Sequence, residues 1–196
     1  MILAAGESSR MGRDKALLDY RGSTFLNHLI SLFLTRLSPV VVVLGHNAPA
    51  IRAAIAASPA TESADLLVVV NDRYKLGMLS SLQAGIHALP PGAPGALFTL
   101  VDHPAVQGST LDQLIEAFAH GGAPLVIPRY QAKRGHPVAA SRAILEEILA
   151  LPTEASAKDV IHAHRLETRF LDVDDPGVIT DVDSPPEYKD LKASWE

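Results

Sequence analysis

The sequence predicts an α/β fold, three layers with a mostly parallel mixed sheet in the middle, on three observations. Short apolar runs rich in β-branched residues recur along the chain. Segments with apolar residues three and four apart lie between them, and polar, glycine-containing loops follow several of the runs. Strand–helix–strand alternation at this pitch closes into a parallel sheet with helices on both faces.

The elements follow in chain order. Residues 1–5 are apolar and read as a first strand, which breaks into the loop at residues 6–15. Ser23 is a candidate N-cap for a helix carrying Phe25, Leu26, Leu29, Ile30, Phe33 and Leu37. The run Val40–Leu44 ends at Gly45 and reads as a strand buried on both faces, and Leu66–Val70 reads the same way. A further strand spans residues 96–101 and ends at Asp102, and a short one spans 124–128 between two prolines. Helices are expected over residues 48–57, 79–88 and 109–120. After Pro128 come a basic loop (129–137), helices near 141–151 and 157–164, and a strand over 167–173. A turn at Asp175-Pro176-Gly177 and a last helix from Ser184 complete the chain. No repeat or linker divides it, so one domain over residues 1–196 is expected. The first strand is short on its N-terminal side, which raises the expectation of an earlier start.

Composition narrows the function classes. With 47% hydrophobic and 20% charged residues the chain reads as an ordinary globular protein. A formal charge of -5 argues against a general binder of nucleic acid or of acidic membrane surfaces, which needs a basic face. The lack of cysteine excludes disulfides, thiolate metal sites and cysteine nucleophiles. No apolar run approaches the roughly 20 residues of a membrane span, and the N-terminus has no export-signal pattern. The cytoplasm is the expected compartment.

In open parallel sheets ligands lie beyond the carboxyl ends of the strands. The first strand delivers Gly6, two serines, Gly12 and the cations Arg10, Arg13 and Lys15, a composition suited to a polyanion and equally to a surface turn. Its spacing matches neither the Walker A nor the dinucleotide pattern. Another strand delivers Asn71, then Gly77-Met78-Leu79-Ser80-Ser81, a helix start able to receive a base edge or an anion, or simply a cap. Asp102 is either a cap on the following turn or a metal ligand. A polyphosphate site tips it to the latter, because Mg²⁺ typically takes one or two carboxylates plus phosphate oxygens. Asp181 and Asp183 are a second carboxylate source or caps of the last helix. The loop holding Arg134, Gly135 and His136 suits a second anionic substrate or a solvated turn. The eight histidines form no zinc pattern; His162 and His164 stand two apart, not four.

The stretch LAAGESSRMGRDKALL, residues 3–18, resembles the nucleotide-binding loop of the MobA-like NTP transferases, and within them the molybdenum cofactor cytidylyltransferases of the MocA type. VVVLGH (41–46), Asn71, GMLSSLQAG (77–85), LVDHP (100–104), RGHPV (134–138) and ITDVDSPPEY (179–188) continue the likeness in order. The resemblance implies a Rossmann-like nucleotidyltransferase domain of the nucleotide-diphospho-sugar transferase type and Mg²⁺-dependent transfer of NMP to a phosphorylated acceptor. It implies that Leu3, Ala4, Ala5, Gly6, Gly12 and Lys15 meet the nucleotide, with Asn71, Gly77, Ser80 and Ser81. Arg10, Lys15 and Asp102 would be catalytic. Asp102 and one of Asp181 or Asp183, with the lean to Asp183, would hold the metal. Arg134, Gly135, His136 and Asp181 would face the acceptor. The implied partners are a nucleoside triphosphate, CTP favoured by GMLSSLQAG, a phosphorylated pterin, and a molybdoenzyme or its chaperone. The family's Gly-Asp-x-Gly-Ala-Arg segment is replaced by EASAKDVI (154–161), which leaves the acceptor open. Guanylyl transfer, another phosphorylated acceptor, and a non-catalytic maturation factor remain as alternatives.

Overall fold

The computed structural model describes residues 1–195. Its elements are β1 (Ile2–Ala4), the small hairpin β2 (Asp19–Tyr20) and β3 (Ser23–Thr24), α1 (Phe25–Leu34), β4 (Val40–Leu44) and α2 (Ala48–Ala56). They continue with β5 (Leu66–Val70), α3 (Met78–His87), β6 (Gly95–Leu100), α4 (Gly108–Gly121), β7 (Leu125–Tyr130), β8 (Lys133–Arg134) and β9 (Val138–Ser141). Last come α5 (Arg142–Leu149), α6 (Ala157–Ala163), β10 (Thr168–Asp172) and α7 (Pro185–Ala193).

One eight-stranded sheet runs β10-β7-β9-β6-β1-β4-β5, with β8 paired to β7. Neighbours along that order are parallel except β9, which runs against both β6 and β7. The mostly parallel mixed sheet is therefore as expected. Alternation along each strand feeds two cores. Ile2, Val40, Val42 and Leu44 pack with Phe25, Leu29 and Leu111 on one face. Leu3, Val41 and Val43 pack with Leu79, Leu82 and Ile144 on the other. Because both faces are covered, β4 is buried along its whole length, which is why its sequence shows no polar alternation.

Four expectations need correction. Leu66–Val70 is not buried on both faces: β5 is an edge strand of the sheet, and Leu67 and Val70 are exposed. The cap of α1 is Thr24, whose hydroxyl accepts from the Asn27 amide at 3.1 Å; Ser23 instead pairs within the small hairpin. Residues 129–137 are not one loop, because β7 continues through Pro128 to Tyr130 and turns into β8. The strand β9 was not expected at all. Its sequence, VAAS, is short and built of small residues, and Ser141 both ends it and caps α5 by accepting from the Ile144 amide. Among the described residues no helix is long and apolar enough to cross a membrane.

Candidate active site

β1 and β6 are parallel neighbours, so the residues after each emerge side by side at one edge of the sheet. The loop at 6–15 leaves β1 there and is tied by Ser8. Its carbonyl accepts from the Met11 and Gly12 amides, and its hydroxyl accepts from the Lys15 amide at 3.1 Å. Buried Met11 anchors the loop's underside. Its far end is pinned where Asn47 Nδ2 donates to Asp14 Oδ2 at 2.6 Å.

Asp102 follows β6, and its carbonyl accepts from the Val182 amide at 3.0 Å. That bond brings the segment before α7 alongside and carries Asp183 to the same place. Lys15 Nζ donates to Asp102 Oδ2 at 3.0 Å and to Asp183 Oδ1, and Arg10 Nη2 lies 2.6 Å from Asp183 Oδ2. The Lys15 side chain is only 11% exposed, so this bridge is shielded from water, whereas Arg10 stands at the mouth with 74% exposure. Burial works against the Lys15 ammonium, but the Asp183 and Asp102 carboxylates outweigh it and hold its pKa above the ordinary value. The hydrogen bond from Lys15, with Arg10 beside it, keeps the Asp183 carboxyl below the ordinary range.

These groups line a cleft of about 380 Å³. Of the residues the sequence nominated, Leu3, Ala5, Gly6, Arg10, Lys15, Gly77, Ser81, Asp102 and Asp183 line it. Ala4 packs in the core on the other face of the sheet, as alternation requires. Gly12 sits in the loop's turn at φ +68, off the cleft wall. Asn71 is buried and engaged: its Nδ2 donates to Ser80 and Ser81 Oγ at 2.9 and 3.0 Å, and its Oδ1 accepts from the Arg73 amide. It fixes the start of α3, with Gly77 at φ +104 turning the chain into the helix. Ser8, Ser9, Tyr74, Met78, Leu100 and Val101 also line the cleft. Sequence reasoning noticed the loop hydroxyls but had no signal for Tyr74. Gly45 makes room for that ring, since a Cβ there would stand 2.6 Å from Tyr74 Cβ.

A second cavity of about 770 Å³ adjoins the first through Leu3, Gly77, Met78 and Leu100. Leu79, Leu82, Phe98 and Ile127 give it apolar walls, and Arg134, Gly135 and His136 stand on one side. The segment that departs from the family pattern, residues 154–161, stands on another with all its residues but Val160. Asp181 reaches neither cavity; it is exposed and lines a separate groove with Tyr20 and Asp190. His136 lines the second cavity, and its ring lies 4.9 Å from that of buried His103, the residue after Asp102. Burial holds both imidazoles below their ordinary value, His136 down to about 4 with His103 adding to the effect.

The donor set suits a hard divalent cation. Asp102 Oδ1 is buried and has no hydrogen-bond partner among the described residues, the kind of orphaned acceptor a cation satisfies. Among the described residues no three His, Cys, Asp or Glu side chains converge, so the chain offers two carboxylates and leaves other positions to phosphate oxygens or water.

Comparison with known proteins agrees with this geometry. The chain is 22% identical over 195 residues to the molybdenum cofactor cytidylyltransferase of Escherichia coli K12, covering 100% of this chain and 95% of that one. It is 27% identical to a probable molybdenum cofactor guanylyltransferase of Mycobacterium ulcerans, covering 94% and 88%. A crystal structure of Rv0371c from Mycobacterium tuberculosis H37Rv in complex with manganese superposes with a TM-score of 0.76 at 29% identity, over 98% of this chain and 96% of that one. The MobA-like NTP transferase domain matches residues 1–168. The chain belongs to the MobA-like NTP transferase family and is a nucleotidyltransferase.

Proposed function

We propose that the protein transfers CMP from CTP to the phosphate of molybdopterin or the molybdenum cofactor, with Mg²⁺, and releases pyrophosphate. The observation that carries this reading is the meeting of Lys15, Asp102 and Asp183 in a cleft that opens onto a second, apolar-walled cavity. The first cleft suits a nucleotide and the second an acceptor with an apolar or aromatic body. The names of the relatives support a pterin acceptor, and the segment GMLSSLQAG supports cytidylyl transfer.

The reaction is in-line attack of an acceptor phosphate oxygen on the α-phosphorus. A phosphate monoester is already anionic near neutral pH, so no side chain has to remove a proton. What the chain contributes is alignment and charge. A divalent cation held by Asp102 and Asp183 would neutralise phosphate oxygens and polarise the α-phosphorus. Lys15, which balances both carboxylates, and Arg10, at the mouth, are within reach of a polyphosphate and stabilise the leaving pyrophosphate. The backbone of the loop at 6–15 supplies amide donors. The reaction belongs in the cytoplasm, with a molybdoenzyme or its chaperone receiving the product.

Guanylyl transfer is the second reading, favoured by the guanylyltransferase relative at 27% identity. Pyrophosphate release decides between them, measured with each NTP, Mg²⁺ or Mn²⁺, and molybdenum-loaded pterin beside a sugar phosphate, methylerythritol phosphate and phosphocholine. Turnover with CTP and the pterin is expected. Turnover with GTP alone reassigns the base, and turnover only with another acceptor removes the pterin. Nucleotide binding without turnover on any acceptor rejects transfer altogether.

A further inference from the structure

Arg134 lines the second cavity from β8, and its guanidinium carbon lies 4.8 Å from the centre of the Phe170 ring. Phe170 belongs to β10, beyond the residues that match the family domain. Its ring also receives Arg129, at 5.2 Å. The two arginines differ in what else they meet. Arg129 is held by a bidentate pair with Asp172, Nε to Oδ1 at 3.0 Å and Nη2 to Oδ2 at 2.7 Å, which uses up its charge. Arg134 makes no ion pair and no side-chain hydrogen bond among the described residues, and it is exposed. A stacked guanidinium keeps its N–H edge free, and that edge forms the planar fork that binds oxyanions. Lys158 on α6 lines the same cavity and gives it a second cation, beside the carboxylates of Glu154 and Asp159, of which Asp159 is engaged by the Ser156 amide.

We propose that Phe170 is a positioning residue that fixes Arg134 as the oxyanion-receiving group of the second cavity. This rests on the reading of that cavity as the acceptor's. The cation–π contact at an exposed site corresponds to about two- to fivefold in affinity. The ring therefore tunes acceptor binding without touching the reacting phosphorus. The acceptor so received carries an anionic group beside its apolar body.

The test uses isotope-labelled full-length protein and inorganic phosphate as the probe, following the Arg134 Nε–H signal by NMR with Arg134→Lys for assignment. In the parent protein the Arg134 side-chain protons are expected to be shifted by the Phe170 ring, and phosphate is expected to saturate the signal. Phe170→Leu should abolish the ring shift and weaken phosphate about two- to fivefold, whereas Phe170→Tyr should keep both. In an Arg134→Gln background Phe170→Leu should have no further effect, which a general structural role of Phe170 would not predict. With molybdenum-loaded pterin, Phe170→Leu should raise the acceptor KM by the same factor and leave kcat and the CTP KM unchanged. An unaltered phosphate affinity in Phe170→Leu, or no saturable response at Arg134 in the parent, overturns the proposal. If the pterin is not turned over while phosphate binding still depends on Phe170, the acceptor reading falls and the platform stands. If the pterin is turned over with a KM indifferent to Phe170→Leu, the platform falls and the acceptor reading stands.

Discussion

Asp102→Asn separates chemistry from stability at the centre of the cleft. The substitution keeps the shape, and the amide oxygen can still accept from Lys15. What is lost is the charge in one bond of 3.0 Å to a side chain only 11% exposed. A hydrogen bond to a charged partner contributes about 1.5–3 kcal/mol and a neutral one about 0.5–1.5 kcal/mol, so the exchange costs roughly 1 kcal/mol. Lys15 keeps Asp183, so no buried charge is stranded, and one carboxylate–carboxylate repulsion is relieved. A stability loss of about 1 kcal/mol lowers Tm by roughly 2–4 °C in a chain of this size. On the proposed mechanism, losing the charge that would hold a cation against the phosphates is comparable to losing a transition-state donor, about a hundred- to thousandfold in kcat. The assay is pyrophosphate release at saturating CTP, Mg²⁺ and molybdenum-loaded pterin, with a thermal melt of the same preparation. Turnover within tenfold of the parent would falsify the role given to Asp102. So would a collapse in Tm large enough to account for the lost activity.

Three further outcomes are expected. Gly45→Ala places a Cβ 2.6 Å from Tyr74 Cβ and 2.8 Å from the Ala5 carbonyl oxygen, so it should cost about 1–3 kcal/mol and raise the nucleotide KM; an unchanged urea midpoint and KM would contradict this. Asn71→Ala strips the buried Ser80 and Ser81 hydroxyls of their shared donor and should destabilise by about 1–3 kcal/mol, read by chemical denaturation, with an unaltered midpoint as the refuting result. In the chain that starts at Met1, burial pushes the α-amine from 8.0 to about 5, and His136 falls from 6.5 to about 4. At these two groups the unfolded chain binds more protons than the folded one between about pH 8 and pH 4, so stability should fall as pH falls through that window; the raised His164 pKa, held up by Glu147 and Glu167, opposes the trend above about pH 6.5. The depressed Asp183 carboxyl acts in the same direction below its ordinary 3.8, and the raised Lys15 pKa bears only on alkaline pH. Urea unfolding at pH 8, 6.5 and 5 measures the slope, and a flat profile would count against the buried amine.

The sequence made the fold legible wherever a strand is buried on both faces or a helix keeps a long periodic stripe. Val40–Leu44 and the apolar positions of Phe25–Leu34 are such cases. It hid elements whose conformation is imposed by neighbours. Val138–Ser141 has too few large side chains to signal a strand, and it becomes one because β6 and β7 both offer it hydrogen bonds. At the site, residues that leave the ends of parallel strands were readable from position alone, as Gly6 and Asp102 were. Asn71 drew notice by its place after β5, yet it lines neither cavity; its engagement with Ser80 and Ser81 depends on how α3 docks, which no local pattern encodes. Asp181 and Asp183 stand two apart in an irregular segment, so periodicity could not say which turns inward. The Val182–Asp102 backbone bond beside them belongs to the tertiary fold.

The reversed strand β9 also explains why the second cavity borders the first. Parallel strands bring the residues that follow them to the ligand edge. Because β9 runs against β6, it brings the residues that precede it. The register makes this concrete: Val138 stands opposite Phe98 and Ser141 opposite Gly95, so stepping back from Val138 moves toward Asp102. His136 thus comes to lie with its ring 4.9 Å from that of His103, the residue after Asp102. A parallel strand in the same slot would send the residues before it to the opposite edge of the sheet and leave the second cavity without this wall. The polarity of a four-residue strand that the sequence barely marks is therefore what places Arg134 and His136 in the cavity that adjoins the first cleft.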